Sequence, residues 1–113
     1  MASFSVISRR AARVHFLTPL GKLDRTTAAL LRQEFDAVVR GSAALIVVNL
    51  SRLTMLDEAG IELLLEMNTA CGGVANRLRV INGARPIARM LERTGAQERL
   101  PIMAIRTADP TPI

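Results

Sequence analysis

The clearest structural pattern in the sequence lies in Leu45-Ile-Val-Val-Asn-Leu-Ser-Arg-Leu-Thr-Met-Leu-Asp-Glu-Ala-Gly-Ile61. Its first part, 45–50, is a continuous apolar run with β-branched side chains, which predicts a strand buried on both faces, as in a parallel sheet. A loop over 52–56 is expected next. Asp57 then predicts the N-cap of a helix over about 58–71, because a short carboxylate can accept from the free backbone N–H groups of a first turn.

Two short strands are predicted upstream of this segment. Residues 4–7 and 13–20 are expected to be joined by a basic turn around Arg9 and Arg10. In the second strand, side chains alternate between two faces, and His15 falls on the more polar side. We therefore interpret His15 as a surface histidine and not as a catalytic one.

A helix is predicted between the strands 13–20 and 45–50. Gly21-Lys-Leu-Asp24 turns the chain, and either Asp24 or Thr26 can serve as the N-cap. Apolar residues follow at helical spacing and form one buried stripe, and Gly41 closes the helix. The stripe consists of Ala28, Leu31, Phe35 and Val38.

The remaining pattern is again a strand, a helix and a strand. Residues 77–82 alternate as a strand, Pro86 opens a third helix that Gly95 ends, and residues 101–105 form a last strand. Strands that alternate with helices in this way indicate an α/β (α+β) domain with right-handed crossovers.

Length and composition are typical of one domain. The chain has 113 residues and a mass of 12.3 kDa, and half of its residues are apolar, which suffices for a single core. We expect one domain over 1–113, with a core at about 4–106 and a flexible tail at 107–113.

Composition also excludes several classes of function. One histidine and one cysteine cannot form a Cys/His metal site, and one cysteine cannot form a disulfide within the chain. No apolar run is long enough to span a membrane, and no secretory signal is evident. The net charge of +5 is scattered and the only aromatic residues are three Phe, so we expect no nucleic-acid partner. The predicted location is the cytoplasm, without a cofactor or direct membrane insertion.

Three acids recur every four residues along the helix 58–71. Glu58, Glu62 and Glu66 therefore lie on one strip, while apolar residues fill a wide arc of the rest. Leu63 or Met67 then either lies at the surface beside the acids, forming a docking face for a protein, or packs under a neighbouring helix. The pattern favours neither alternative.

The sequence contains no recognisable catalytic or phosphate-binding motif. Asp57 and Glu58 are adjacent carboxylates without a nucleophile beside them, and the single histidine is far away in the sequence. Neither a GxSxG elbow nor a glycine-rich phosphate loop occurs. We therefore expect that the protein is not an enzyme.

The order of these motifs resembles the STAS domain family, which includes the bacterial anti-sigma factor antagonists. That family has a Gly-x-Leu-Asp turn, an apolar strand ending in Asp or Asn, and Asp-Ser-Ser-Gly-Leu at a helix start. The matching segments here are Gly21-Lys-Leu-Asp24, Leu45-Ile-Val-Val-Asn49 and Asp57-Glu-Ala-Gly60-Ile61. The resemblance covers about 4–106 and implies a small mixed sheet of four to five strands flanked by helices.

The resemblance also implies a function, and this sequence departs from the family motif at the residue on which that function depends. In the STAS family, a partner that is both anti-sigma factor and serine kinase phosphorylates the first Ser of the Asp-Ser-Ser-Gly segment, and only the unphosphorylated form binds. Asp24 and Asp57 match the aspartates that flank this site, but Glu58 stands at the phosphorylated position and Ala59 at the second Ser. The implied function is a non-enzymatic regulatory module that serine phosphorylation at residue 58 cannot switch.

Glu58 has two possible consequences. Its charge could mimic the phosphorylated, non-binding state, or the partner could be complementary to it and bind permanently. The acidic strip that continues to Glu66 slightly favours permanent binding.

The partner implied by the resemblance is an anti-sigma factor with serine-kinase activity. The alternative is a soluble STAS subunit that docks on the ATPase or permease of a membrane transporter, where no phosphorylatable serine is required. The predicted docking residues are Lys22, Asp24, Thr26, Met55, Asp57, Glu58, Ala59, Glu62, Leu63 and Glu66.

Overall fold

Five strands and three α-helices form the regular structure of residues 3–72 and 77–103, the part of the chain that the computed structural model describes. Two short 3-10 turns, one after β3 and one after α3, complete it. In chain order the elements are β1 (Ser5–Ala11), β2 (Val14–Leu23), α1 (Ala28–Val39), β3 (Leu45–Asn49), β4 (Leu53–Leu56), α2 (Glu58–Ala70), β5 (Leu78–Ile81) and α3 (Arg85–Arg93).

The sheet is mixed and has β2 at its centre. β1 pairs antiparallel with β2, so that Ser5 lies opposite Leu20 and Ala11 opposite Val14. β3 runs parallel to β2, and β5 runs parallel to β3, which gives the order β1-β2-β3-β5. β4 pairs parallel with the last residues of β2 and is the fifth strand. The expected mixed sheet of an α/β domain is confirmed.

The apolar core lies between one face of the sheet and the helices. Leu17, Ile46 and Val48 point from the sheet into this core and are fully buried. The buried stripes of the helices join the same cluster, with Leu31, Phe35 and Val38 from α1, Ile61, Leu63, Leu64 and Met67 from α2, and Ile87 and Leu91 from α3. Val47 is buried on the opposite face, so β3 is buried on both faces, as its sequence predicts.

The boundaries of α3 follow from its proline and glycine. Pro86 lies in the first turn, where its missing N–H has no helical acceptor to lose. Gly95 follows the helix with a φ of 81°, a conformation that favours glycine. Both predicted boundaries are confirmed.

Two predictions about the strands were wrong. Arg9 and Arg10 belong to β1, and the turn lies at Ala12, which has a φ of 57°. The predicted loop 52–56 contains β4, which the sequence did not indicate because only Leu53 and Leu56 of its residues are buried. Those two buried positions do not alternate, so the pattern lacks the period of two typical of a strand.

His15 lies on the face of β2 that the alternation predicts, together with the buried Leu17 and Pro19, but this face is not the more polar one as expected. His15 is itself half-buried near the strand's beginning. The Ser8 hydroxyl on β1 lies 2.7 Å from His15 Nε2. The imidazole therefore completes a hydrogen bond between the two strands of the hairpin.

The end of the chain is described only in part. Of the predicted strand 101–105, Ile102 forms one parallel bridge with Val80. Residues 104–105 and the predicted tail 107–113 lie outside the described residues. Within the described part, no helix is both long and apolar enough to cross a bilayer.

Candidate docking site at the start of helix α2

The first turn of α2 is held in place by an N-cap and a glycine. The Asp57 side chain accepts a hydrogen bond from Gly60 N at 3.1 Å, which confirms Asp57 as the N-cap. A Cβ at Gly60 would lie 2.7 Å from Leu56 Cδ1 and 2.9 Å from Leu23 O. Only glycine therefore lets the helix approach the ends of β2 and β4 this closely.

The predicted docking residues lie in two segments, 22–26 and 54–66, which the pairing of β2 with β4 brings together. Lys22 is the register partner of Met55 across the two parallel strands. Asp57 N then donates to Leu23 O at 3.2 Å, which continues the contact into the first turn of α2. The turn after β2 and the start of α2 consequently share one surface.

The Asp24 carboxylate organises the turn between β2 and α1. Its Oδ1 accepts from Thr26 Oγ1 at 2.7 Å and from the backbone N–H groups of Thr26 and Thr27 at 2.9 and 3.2 Å. The Thr26 hydroxyl is the main cause that lowers the pKa of Asp24 below its ordinary value. The helix begins at Ala28 with Thr27 as its N-cap, so Asp24 caps the preceding turn and neither Asp24 nor Thr26 is the helix N-cap.

A shallow groove opens beside the first turn of α2. The groove is lined by Arg25, Asp57, Glu58, Ala59, Glu62 and Met90. Glu58 and Glu62 are exposed, and within residues 3–72 and 77–103 neither carboxylate forms an ion pair. Met90 lies outside the predicted docking segments, because the helix α3 reaches the groove only through the tertiary fold.

The sequence matches the family model described as Mlab, STAS domain, over residues 10–104. The chain belongs to the STAS domain family. The match includes both segments that contain the predicted docking residues, together with the whole of α3. No curated protein matches the chain.

Solved structures similar to this STAS domain include anti-sigma factor antagonists. One from Mycobacterium paratuberculosis has a TM-score of 0.81 at 24% identity, over 90% of this chain and 86% of that one. SpoIIAA in its unphosphorylated form has a TM-score of 0.72 at 19% identity, over 92% of both chains. The phosphorylated form of the Bacillus protein SpoIIAA has a TM-score of 0.64 at 19% identity, over 94% of this chain and 96% of that one. At these identities the likeness shows the fold alone.

Two of the predicted docking residues of this STAS domain, Leu63 and Glu66, are engaged within the domain and are not free for a partner. Leu63 is 2% exposed and Met67 is 1% exposed, so both pack in the core and the surface alternative for them was wrong. Glu66 forms an ion pair with Arg32 of α1, which ties α2 to its neighbouring helix. The acidic strip that remains free in the described chain consists of Glu58 and Glu62.

The predicted docking surface of the STAS domain carries charge but no assembled reactive group. His15 and its partner Ser8 lie on the β1–β2 hairpin, and Cys71 is buried at the end of α2, where burial raises the pKa of its thiol. No group of three or more potential metal ligands occurs in the described residues. The surface is suited to contacts between proteins, through charges and the partly exposed Met55.

Proposed function

We propose that this STAS domain is a non-enzymatic regulatory module that binds a protein partner through a docking face at the start of α2. The docking face consists of Lys22, Arg25, Asp24, Thr26, Met55, Asp57, Glu58, Ala59, Glu62 and Met90. The observation that carries the proposal is one groove lined by the turn before α1, the start of α2 and α3, which holds two free acids. The anti-sigma factor antagonists among the similar structures support a role of this kind in transcription regulation in a bacterial cytoplasm.

The proposed partner is an anti-sigma factor with serine-kinase activity, and binding to it is permanent. Residues 57–60 contain no hydroxyl group, so there is nothing for a kinase to phosphorylate at the position where the family carries its serine. Glu58 is exposed in the groove and Arg25 lines the same groove. A partner with a basic group opposite Glu58 and an acidic group opposite Arg25 would match both charges.

The test begins with the capture of partners from native cytosol and membrane fractions. The baits are the wild type, Glu58→Ser, Glu58→Ala and the control Glu34→Ser, which changes an exposed glutamate of α1 outside the docking face. A soluble serine kinase recovered in this way is then titrated against each bait by calorimetry. We expect Glu34→Ser to bind like the wild type and Glu58→Ala to bind roughly fivefold more weakly, as for loss of one exposed ion pair.

Phosphate incorporation provides the second readout. With ATP and the recovered kinase, Glu58→Ser should take up phosphate and the wild type should not. Tighter binding of Glu58→Ala than of the wild type would contradict permanent binding, because it would mean that Glu58 mimics a phosphate and blocks the interface.

A second candidate function is that of a soluble subunit docked on the ATPase or permease of a membrane transporter. The observation that favours it is the same lack of a hydroxyl group at residues 57–60, since such a subunit requires no phosphorylation. Recovery of a transporter component from the membrane fraction, with equal affinity for the wild type and Glu58→Ser, would select this function over the first.

A further inference from the structure

The sheet face opposite the helices presents a mixed apolar and basic surface. The apolar stripes of all three helices belong to the core on the other face. On the open face, the register places Arg9 of β1 beside Phe16 of β2, and Ile7 beside Thr18. Ile7 is 47% exposed and Phe16 is half-buried, so apolar surface is accessible here.

A cavity of about 430 Å³ lies on this face. Phe16 and Thr18 of the central strand form its floor, and β1 with Ile7 and Arg9 lies to one side. The turn after β3 supplies Arg52 on the other side, because β3 pairs with the opposite edge of β2. The two guanidinium groups therefore flank the floor of Phe16 and Thr18 from opposite sides.

The charge of this cavity is entirely positive. No acidic residue lines it, and within the described residues neither the Arg9 nor the Arg52 side chain makes a hydrogen bond or an ion pair. The hydroxyl groups of Thr18 and Ser51 also line the cavity and can donate. Two free guanidinium groups with hydroxyl donors are the groups that proteins use to bind carboxylates and phosphates.

We propose that this cavity binds a small organic anion with an apolar body, its carboxylate or phosphate held between Arg9 and Arg52. The apolar body lies on Phe16 and Ile7. The cavity volume is within the range of about 300–1,000 Å³ that is typical of small-ligand sites, which favours a small molecule over a polypeptide. The cavity shares no lining residue with the groove beside α2, so this site is independent of the proposed function.

Decyl phosphate, used below the concentration at which it forms micelles, is a suitable probe. Decanol and inorganic phosphate carry its two halves separately. Because the chain has no Trp or Tyr, binding is measured by calorimetry and by amide chemical shifts. We expect one decyl phosphate per chain, with shifts in β1, β2 and the turn after β3, and binding about tenfold or more tighter than that of either half.

Four variants distinguish a specific binding site from non-specific electrostatic attraction of the anion to a basic protein. The double variant Arg9→Gln/Arg52→Gln should weaken decyl phosphate binding by about tenfold or more. Ile7→Ala, at an exposed position that does not threaten folding, should weaken it by about threefold. The matched double variant Arg85→Gln/Arg89→Gln also removes two positive charges, from exposed positions on α3, and should leave binding unchanged. Thr18→Val tests the hydroxyl contact and should weaken binding of decyl phosphate but not of decanol.

Three outcomes would overturn the proposal. The double variant could bind decyl phosphate as tightly as the wild type, or the chemical shifts could map to α3. Stronger perturbation of the same amides by poly-glutamate than by decyl phosphate would assign the face to an acidic polypeptide instead. Unchanged circular dichroism of each variant establishes that a loss of binding is not a loss of folding.

Discussion

At Gly60 the backbone of α2 leaves no room for a side chain. An added Cβ would contact Leu56 Cδ1 at 2.7 Å, and it would also lie 2.9 Å from both Leu23 Cγ and Leu23 O. We expect Gly60→Ala to lower the free energy of unfolding by about 1–3 kcal/mol, as overpacking of a tight contact does, measured by urea denaturation. Gly41→Ala is the matched control, because its new Cβ would meet only Val38 O, at 3.3 Å. Equal losses for the two variants would contradict the steric explanation.

The Thr26 hydroxyl makes the pKa of Asp24 depend on a neighbouring side chain. Because the hydrogen bonds favour the carboxylate, the pKa of Asp24 is lower in the folded than in the unfolded chain. The stability that this provides is present above the unfolded pKa of about 3.9 and is lost as the pH falls through the folded value. We expect Thr26→Val to raise the pKa of Asp24 towards its ordinary value, measured by NMR titration of the carboxyl carbon.

The control for Asp24 is Thr54→Val, which changes an exposed threonine on β4. That variant should leave the pKa of Asp24 where it is in the wild type. An unchanged pKa in Thr26→Val would mean that the backbone N–H groups of Thr26 and Thr27, together with the Thr27 hydroxyl, stabilise the carboxylate.

At the scale of the elements, the start of α2 depends on one capping hydrogen bond. Asp57 accepts from Gly60 N, so Asp57→Ala leaves that N–H without its partner. We expect a loss of about 1 kcal/mol in the free energy of unfolding, measured by urea denaturation. Asp57→Asn keeps an accepting oxygen and should cost less than half as much. If Asn were as costly as Ala, the charge and not the hydrogen bond would stabilise the helix start.

Elements with a local pattern could be predicted from the sequence, and elements that depend on distant partners could not. The helix expected over 58–71 is Glu58–Ala70, and the buried run 45–50 contains β3. β4 has only four residues and pairs with the far end of β2, so no local periodicity in the sequence predicts it. The wide apolar arc of α2 was ambiguous because its width reflects two neighbours, the sheet and α1, which the pattern of one helix cannot identify.

At the scale of the whole molecule, some residues of the proposed docking face could be predicted from the sequence and others are placed there only by the tertiary fold. Asp57 and Glu58 could be proposed from the sequence because they occupy a recognisable family motif. Met90 reaches the groove from α3, and only the packing of this helix places it beside Glu58. The burial of Leu63 is likewise a property of the assembled core.

The single core predicts that the whole domain unfolds in one step. Cys71, at the end of α2, is 3% exposed and belongs to the same apolar cluster as the sheet and the other helices. Burial also raises the pKa of its thiol, which reduces the reactive thiolate further. Labelling of Cys71 by a disulfide reagent should therefore be slow in native buffer and should rise with urea along the same curve as the loss of helical circular dichroism.

A relocated thiol provides the control for this labelling. The double variant Cys71→Ala with Ala70→Cys moves the only thiol to the neighbouring, exposed position, where labelling in native buffer should be fast. The contrast between the two thiols tests whether α2 is fixed along its whole length. If wild-type Cys71 reacted as fast as the relocated thiol without urea, the end of α2 would open independently, because exposure of Cys71 would not require the core shared with the sheet to unfold.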